Sequence, residues 1–509
     1  MGDYVYNLGK KFDEIVARHA NQTAIRYADG KEYTFNQLSK LADNFADYLL
    51  RKGVVIDDVI AIFNDKSIEC FALMLACNKA GITYTNLDIN SPEERLVKMI
   101  ERCNPKLVFV DPVLGASFTL AATVQKEALV YLSEIRFEVD VTPVIPYDVT
   151  GATPVYIMFT SGSTGFPKGA VMSHANVLNL INWGKQTFGI TEQDTATNVN
   201  PIYFDNSVFD FYSAVYNGAA LVPFNGAQTR NPHALVQEVQ NTKCTVWFSV
   251  PSMLVYLLTT KAIEAHSLPA LRTIIFGGEG FPKPKLKKLY ELFGDRIQLV
   301  NVYGPTECTC ICSSYNITET DFDNIVDFAP LGKLAPNFSY EIIPQETGNK
   351  MVGELCLKGP NVGLGYYRDK ERTEKSFVQN PFNINYHEIV YKTGDLVRLD
   401  EGGEFHFLGR TDNQVKHMGY RIEMEEIEAG LNSIHGVKES AVVYKKLGDG
   451  LGNIIGFVAV QEDVSTEKIM TEIKKKVPEY MVPKKIYAMD ALPKNSNGKI
   501  DRVELKNGL

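Results

Sequence analysis

From Tyr156 to Gly169 an apolar run, Tyr156-Ile157-Met158-Phe159, leads into Thr160, Ser161, Gly162, Ser163, Thr164, Gly165, Phe166, Pro167, Lys168 and Gly169. Glycines let backbone N–H groups approach an anion closely. The four hydroxyls add donors and Lys168 adds a positive charge. This composition after a strand reads as a phosphate-cradling loop. It is not a Walker A loop, because the GxxxxGK[ST] spacing is absent. Asn301 to Glu307 is a second string, a strand end followed by an aromatic, a glycine, a hydroxyl and a carboxylate. Tyr303 could stack on a base, and Glu307 is a hard oxygen donor of the kind Mg²⁺ takes. Taken alone, it is an unremarkable strand end. A third pair of strings runs from Tyr391 to Leu396 and from Gly409 to Lys416. Asp395, following Gly394, could accept from ribose hydroxyls. The fourth string, Pro493 to Arg502, holds Lys499 on a glycine turn, where a lysine is ordinarily just solvated.

These strings need elements to position them. Phe35 to Lys52 carries Leu38, Leu41, Phe45, Tyr48 and Leu49 at helical spacing, and Cys70 to Ala80 reads as a second helix. Val59 to Phe63, Leu107 to Val110, Val155 to Phe159, Thr245 to Ser249, Thr273 to Phe276 and Gln298 to Val302 read as buried strands. Strands alternating with helices predict an α/β fold with parallel strands. After Gly332 the texture changes to short strands between Gly and Pro, as in Gly353 to Gly359 and Glu404 to Arg410, predicting a compact β subdomain. Beyond about Thr411 the order is helix (Glu423 to Leu431), strands (Glu439 to Tyr444, Asn453 to Val460) and helix (Thr466 to Val477), a small α+β unit.

The chain has 509 residues, enough for two to four domains at roughly 100–200 residues each. Hydrophobic residues make up 45% and charged residues 22%, with a net charge of −9. No basic tract marks a nucleic-acid footprint. No stretch reaches the ~18 apolar residues of a membrane span, and the N-terminus lacks the apolar core of a signal peptide. The cytosol is the expected compartment. The eight cysteines form no CxxC pair and read as free thiols in a reducing environment. Cys308, Cys310 and Cys312 alternate as they would on one face of a strand, with no nearby histidine to complete a zinc site.

Taken together, and in this order and spacing, the four strings resemble the adenylate-forming superfamily over essentially the whole chain. Phe204 to Val208 and Phe276 to Glu279 carry a finer likeness to nonribosomal-peptide adenylation domains and D-alanine–carrier-protein ligases. The resemblance implies a large N-terminal core over 1–411, of two α/β subdomains and a β subdomain, that binds ATP and substrate. A small mobile α+β lid over 412–509 would carry the catalytic lysine. It implies two half-reactions: a carboxylate and Mg·ATP give an acyl-adenylate, which a carrier protein's phosphopantetheine thiol then attacks. An acyl-CoA synthetase is the alternative within the superfamily.

Residue by residue, the resemblance implies nucleotide binding by Thr160, Ser161, Gly162, Ser163, Thr164, Gly165, Lys168, Asn301, Tyr303, Gly304 and Asp395. Glu307 would hold Mg²⁺. Lys499, Thr306, Arg410 and Lys416 would be catalytic, Asp412 the hinge, and Gly419 part of the loop lining the thiol tunnel. Asp205 matches the residue that pairs with a substrate α-amino group; its ordinary alternative is to cap a helix. Asn206, Phe209, Phe248, Ile275, Gly277, Val302, Cys310 and Ile311 would line the side-chain pocket. That lining is mostly apolar and favours an aliphatic amino acid, with D-alanine as runner-up. No carrier motif follows Lys499, so the thiol is expected from another chain, or the chain is an excised domain. A monomer is expected.

Overall fold

The computed structural model describes residues 4–111, 113–114, 124–137, 143, 148–162, 165–325, 328–344, 351–446, 452–460, 464–495 and 500–509. The chain forms two compact units. One comprises Met1–Leu87, Cys103–Met158 and Gly169–Thr411; the other comprises Asp88–Arg102, Phe159–Lys168 and Asp412–Leu509.

In the first unit, the helix expected from Phe35 onward spans Phe35–Arg51. Thr34 caps it, and Gln37 closes a capping box. Its buried face is Phe35, Leu38, Ala42, Phe45 and Leu49. Helix Ile68–Ala80 is buried at every position except Glu69, which explains its apolar residues all around the axis. A seven-stranded sheet runs in the order Gly365–Tyr366, Lys168–Ser173, Pro154–Thr160, Thr83–Asn86, Val59–Phe63, Leu107–Val110, Leu129–Tyr131. Val59–Phe63 pairs in parallel with both of its neighbours. Every residue of Val59–Phe63 and Leu107–Val110 is buried, as expected for parallel strands covered on both faces.

A nine-stranded sheet carries the elements that matter most for the site. Gln298–Tyr303, Thr273–Gly277, Val246–Ser249, Thr195–Asn198 and Ala220–Pro223 lie side by side and parallel. Their carboxyl ends therefore line up along one sheet edge, where ligands of open α/β sheets bind. Ser313–Asn316 returns antiparallel beside Gln298–Tyr303. The predicted β subdomain is a five-stranded antiparallel sheet that includes Val352–Lys358, Ile389–Leu399 and Phe405–Arg410.

The second unit has a three-stranded sheet of Val437–Lys446, Gly452–Val460 and Lys485–Met489. Ile422, Ile427, Leu431, Val442, Val458, Ile469 and Ile473 form its core. The helix read from Thr466 to Val477 ends at Ile473. Pro478 disfavours helical backbone just before it, and the N–H groups of Lys476 and Val477 turn back onto the Ile473 carbonyl.

Cys308, Cys310 and Cys312 do not share a strand face. Cys308 ends a single turn of 3₁₀ helix, and Thr309 and Cys310 take φ of 64° and 73°. The chain must reverse between two antiparallel strands here, and the strand begins only at Ser313. Among the described residues, no helix is long and apolar enough to cross a membrane.

Candidate active site

Strand Gln298–Tyr303 delivers Asn301 and Tyr303 to the sheet edge. Asn301 Nδ2 donates to the Pro330 carbonyl (2.8 Å). The Tyr303 hydroxyl donates to Asp395 Oδ2 at 2.6 Å. Burial and the adjacent Asp395 charge push the Tyr303 phenol well up, so it stays a protonated donor. Asp395 and Arg410 are register partners on neighbouring strands, and Arg410 Nη1 bonds Asp395 Oδ1. Three residues from three separate strings thus meet through one buried carboxylate.

After Tyr303 the chain turns through Gly304, where a Cβ would lie 2.3 Å from the Cys310 carbonyl oxygen, so only glycine fits. Glu307 is fully buried in the following 3₁₀ turn. Its Oε1 accepts from the Tyr366 hydroxyl (2.6 Å), and its carbonyl accepts from the Gly363 N–H (2.9 Å). A carboxylate positioned in this way suits a hard cation such as Mg²⁺. Sequence reasoning missed Tyr366, because nothing in Gly365-Tyr366-Tyr367 signals the partnership.

Asp205 stands at the N-cap of helix Asn206–Val215, but its side chain makes no cap hydrogen bond. It instead accepts a 2.6 Å bond from Thr306 Oγ1. The capping alternative is thereby set aside, and two predicted residues from distant strings are joined. Phe209, one turn along the helix, packs edge-on against Phe248, with ring centroids 5.3 Å apart. Phe248 pairs across the sheet with Ile275, and Gly277 pairs with Val302. A Cβ at Gly277 would sit 2.3 Å from the Val302 carbonyl oxygen, so the close approach of these strand ends requires glycine. Cys310 Sγ lies 3.9 Å from Asn206 Oδ1. Burial, then the nearby Asp205 charge, pushes the Cys310 thiol up and keeps it neutral. Phe209, Phe248, Ile275, Val302, Cys310 and Ile311 are all buried.

The glycine-rich loop belongs to the second unit, and two of its donors, Lys168 Nζ and the Gly162 N–H, hold carboxylates. Lys168 Nζ pairs with Glu423 Oε1 (3.2 Å). The Gly162 N–H donates to Glu426 Oε2 (3.0 Å), and Arg95 Nε bonds the same carboxylate through Oε1 (3.1 Å). Ser161 Oγ donates to the Arg421 carbonyl and accepts from the Glu423 N–H. Thr160 Oγ1 is buried without a partner among the described residues. Glu423, Glu426 and Arg95 were not anticipated, since ordinary helix-terminal charges look the same in sequence. Asp412 is exposed, and its Oδ1 accepts from the Gln414 N–H. Lys416 sits in strand Val415–His417 opposite Arg421, with Gly419 at φ 81° in the connecting turn. Ser163, Thr164 and Lys499 lie outside the described residues.

A family model described as AMP-binding enzyme matches residues 12–367, and one for the AMP-binding enzyme C-terminal domain matches residues 426–499. The chain is 33% identical over 506 residues to surfactin synthase subunit 2 of Bacillus subtilis (strain 168), covering 97% of this chain and 13% of that protein. It is 31% identical over 503 residues to bacitracin synthase 1 of Bacillus licheniformis, covering 98% of this chain and 9% of that protein. The chain therefore spans only a small part of these relatives. Among solved structures it is similar to holo-PA1221, an NRPS protein containing adenylation and PCP domains. That match has a TM-score of 0.84 at 24% identity and covers 99% of this chain and 84% of the other. It reports the adenylate-forming fold, with a large N-terminal and a small C-terminal domain.

Proposed function

The chain belongs to the AMP-binding enzyme family, and from that premise we propose that it activates an amino acid with ATP and passes it to a phosphopantetheine thiol of a carrier protein. The observation that supports the amino-acid part is Asp205, whose carboxylate accepts from Thr306 Oγ1 near Cys310, one of the residues proposed to line the side-chain pocket. A half-buried carboxylate is suited to pair with a cation, and the α-ammonium of an amino acid is one. The walls of Phe209, Phe248, Ile275, Val302 and Ile311 leave no charge for an acidic or basic side chain and suit Val, Leu or Ile. D-alanine is the smaller alternative.

In the first half-reaction a substrate carboxylate oxygen bonds to the α-phosphorus of ATP, and pyrophosphate leaves. Two anions must approach, so fixed cations and N–H donors supply much of the stabilisation. The loop residues Thr160, Ser161, Gly162 and Lys168 would receive the β- and γ-phosphates, with Gly162 and Lys168 exchanging their present carboxylate partners for phosphate oxygens. Asn301, Tyr303 and Gly304 would border the adenine, and Asp395 would accept from the ribose. Thr306 and Arg410 would face the phosphate side, and Glu307 would hold Mg²⁺, which supplies further charge neutralisation when bound. Lys499 would bridge the substrate carboxylate and α-phosphate. In the second half-reaction the thiolate sulfur bonds to the acyl carbon and AMP leaves. Asp412 is the proposed hinge between the two half-reactions, with Lys416 and Gly419 serving on its far side. All eight cysteines are buried free thiols, in keeping with action in the cytosol.

The test is single-turnover mass analysis. With ATP, Mg²⁺ and leucine, the protein should form leucyl-AMP and then load a phosphopantetheinylated carrier. Formation of an acyl-CoA from a fatty acid, with no leucyl-AMP, would overturn the proposal.

A further inference from the structure

A set of buried polar groups is bonded to the elements that carry Phe209 and Phe248, and none of them is assigned to the nucleotide or the reacting atoms. Asp210 follows Phe209 on helix Asn206–Val215 and is 3% exposed. Its Oδ2 accepts from Asn198 Nδ2 (2.8 Å) and Asn200 Nδ2 (3.0 Å). Asn200 Nδ2 also donates to the Phe248 carbonyl (3.0 Å). Lys66 Nζ, likewise buried, donates to the carbonyls of Asn198 (2.8 Å) and Phe224 (2.5 Å). Lys66 itself is held at φ 65°, a conformation rarely adopted by a non-glycine residue and kept only where the surroundings impose it.

These bonds tie together the carboxyl ends of three parallel strands, Thr195–Asn198, Ala220–Pro223 and Val246–Ser249, and the helix that carries Phe209. Burying a lysine and an aspartate disfavours both charges, and their opposite signs partly offset that cost. A core that needed only stability would be served as well by apolar residues of similar volume. The bonds end on Phe248 and begin beside Phe209, the two rings that meet edge-on at 5.3 Å.

We infer that Asp210 and Asn200 are specificity-positioning residues, which fix the spacing of the Phe209 and Phe248 rings and so set the width of the amino-acid pocket. This inference rests on the amino-acid reading of that pocket. Neither residue is assigned to ATP or the reacting atoms, so their loss should appear in substrate choice rather than in nucleotide use.

Asn200→Ala cuts the tie to Phe248 while leaving the Asn198–Asp210 bond. Asp210→Asn keeps an acceptor oxygen of the same shape and serves as the rescuing variant. Amino-acid-dependent exchange of labelled pyrophosphate into ATP is measured over Ala, Val, Leu and Ile, alongside melting curves. Asn200→Ala should raise KM for the preferred amino acid about 10-fold and flatten discrimination between substrates one methylene apart, normally ~10–200-fold, toward two-fold. KM for ATP should stay within two-fold, and Asp210→Asn should stay near wild type. A folded Asn200→Ala enzyme with wild-type selectivity would overturn the inference. So would a parallel rise in both KM values, or loss of selectivity confined to Asp210→Asn. Absence of amino-acid-dependent exchange in the wild type would instead refute the pocket's substrate. The positioning role is then decided by a crystal structure of Asn200→Ala: an altered ring spacing supports it, and an unchanged 5.3 Å refutes it.

Discussion

Replacing Asp205 with Asn removes one charge while keeping an oxygen that can still accept from Thr306 Oγ1, now 2.6 Å away. Fold and cap are left intact, since the carboxylate makes no cap bond. The proposed loss is the ion pair with the substrate ammonium. Removing one partner of a desolvated, hydrogen-bonded charge pair costs about 2–5 kcal/mol. Asp205 is only half-buried, which favours the lower part of that range, about 2–4 kcal/mol. At about 1.36 kcal/mol per decade, kcat/KM for the amino acid should fall about 30- to 1,000-fold. ATP–pyrophosphate exchange at varied amino acid and then varied ATP separates the two effects. KM for ATP should remain within two-fold of wild type. A loss under three-fold, or equal losses on both substrates, would refute Asp205 as the ammonium partner.

Other perturbations probe the remaining parts. Lys499→Ala should abolish aminoacyl-AMP formation while sparing carrier loading from supplied aminoacyl-AMP; rapid-quench assays of the two steps check this, and equal loss of both counts against the assigned role. Glu426→Gln removes a negative charge from the Gly162 N–H and Arg95. It should tighten ATP binding several-fold if phosphates and this carboxylate compete for the loop, as read by equilibrium titration; weakened ATP binding would contradict that competition. Tyr366→Phe leaves the buried Glu307 without a 2.6 Å donor, at a cost of about 1–3 kcal/mol in unfolding free energy. The variant should show a lower urea midpoint and a changed Mg²⁺ concentration for half-maximal exchange, and no change in either would make the bond incidental.

Much of the fold was legible because the fully buried strands announce themselves as apolar runs. Val59–Phe63 appears where the sequence puts it, and Thr273–Gly277 and Gln298–Tyr303 differ only at their ends. Of the residues proposed to line the pocket, the register that sets Phe248 opposite Ile275 was open in the sequence and is given by the sheet. The turn from Cys308 to Cys312 was misread, because the left-handed backbone at Thr309 and Cys310 carries no glycine to signal it. The contacts of Tyr366 and Asp210 were invisible for a different reason. Their partners lie 59 residues away for Tyr366–Glu307 and 12 and 10 residues away for Asp210 with Asn198 and Asn200, and no local pattern marks such pairings.

Amino-acid adenylation is tested most directly by exchange of labelled pyrophosphate into ATP across all twenty amino acids, D-alanine and a fatty-acid series. The pocket predicts the fastest exchange with Val, Leu or Ile, with leakage among them because a single methylene discriminates only ~10–200-fold. Exchange driven best by Asp, by Lys or by a plain fatty acid would contradict it.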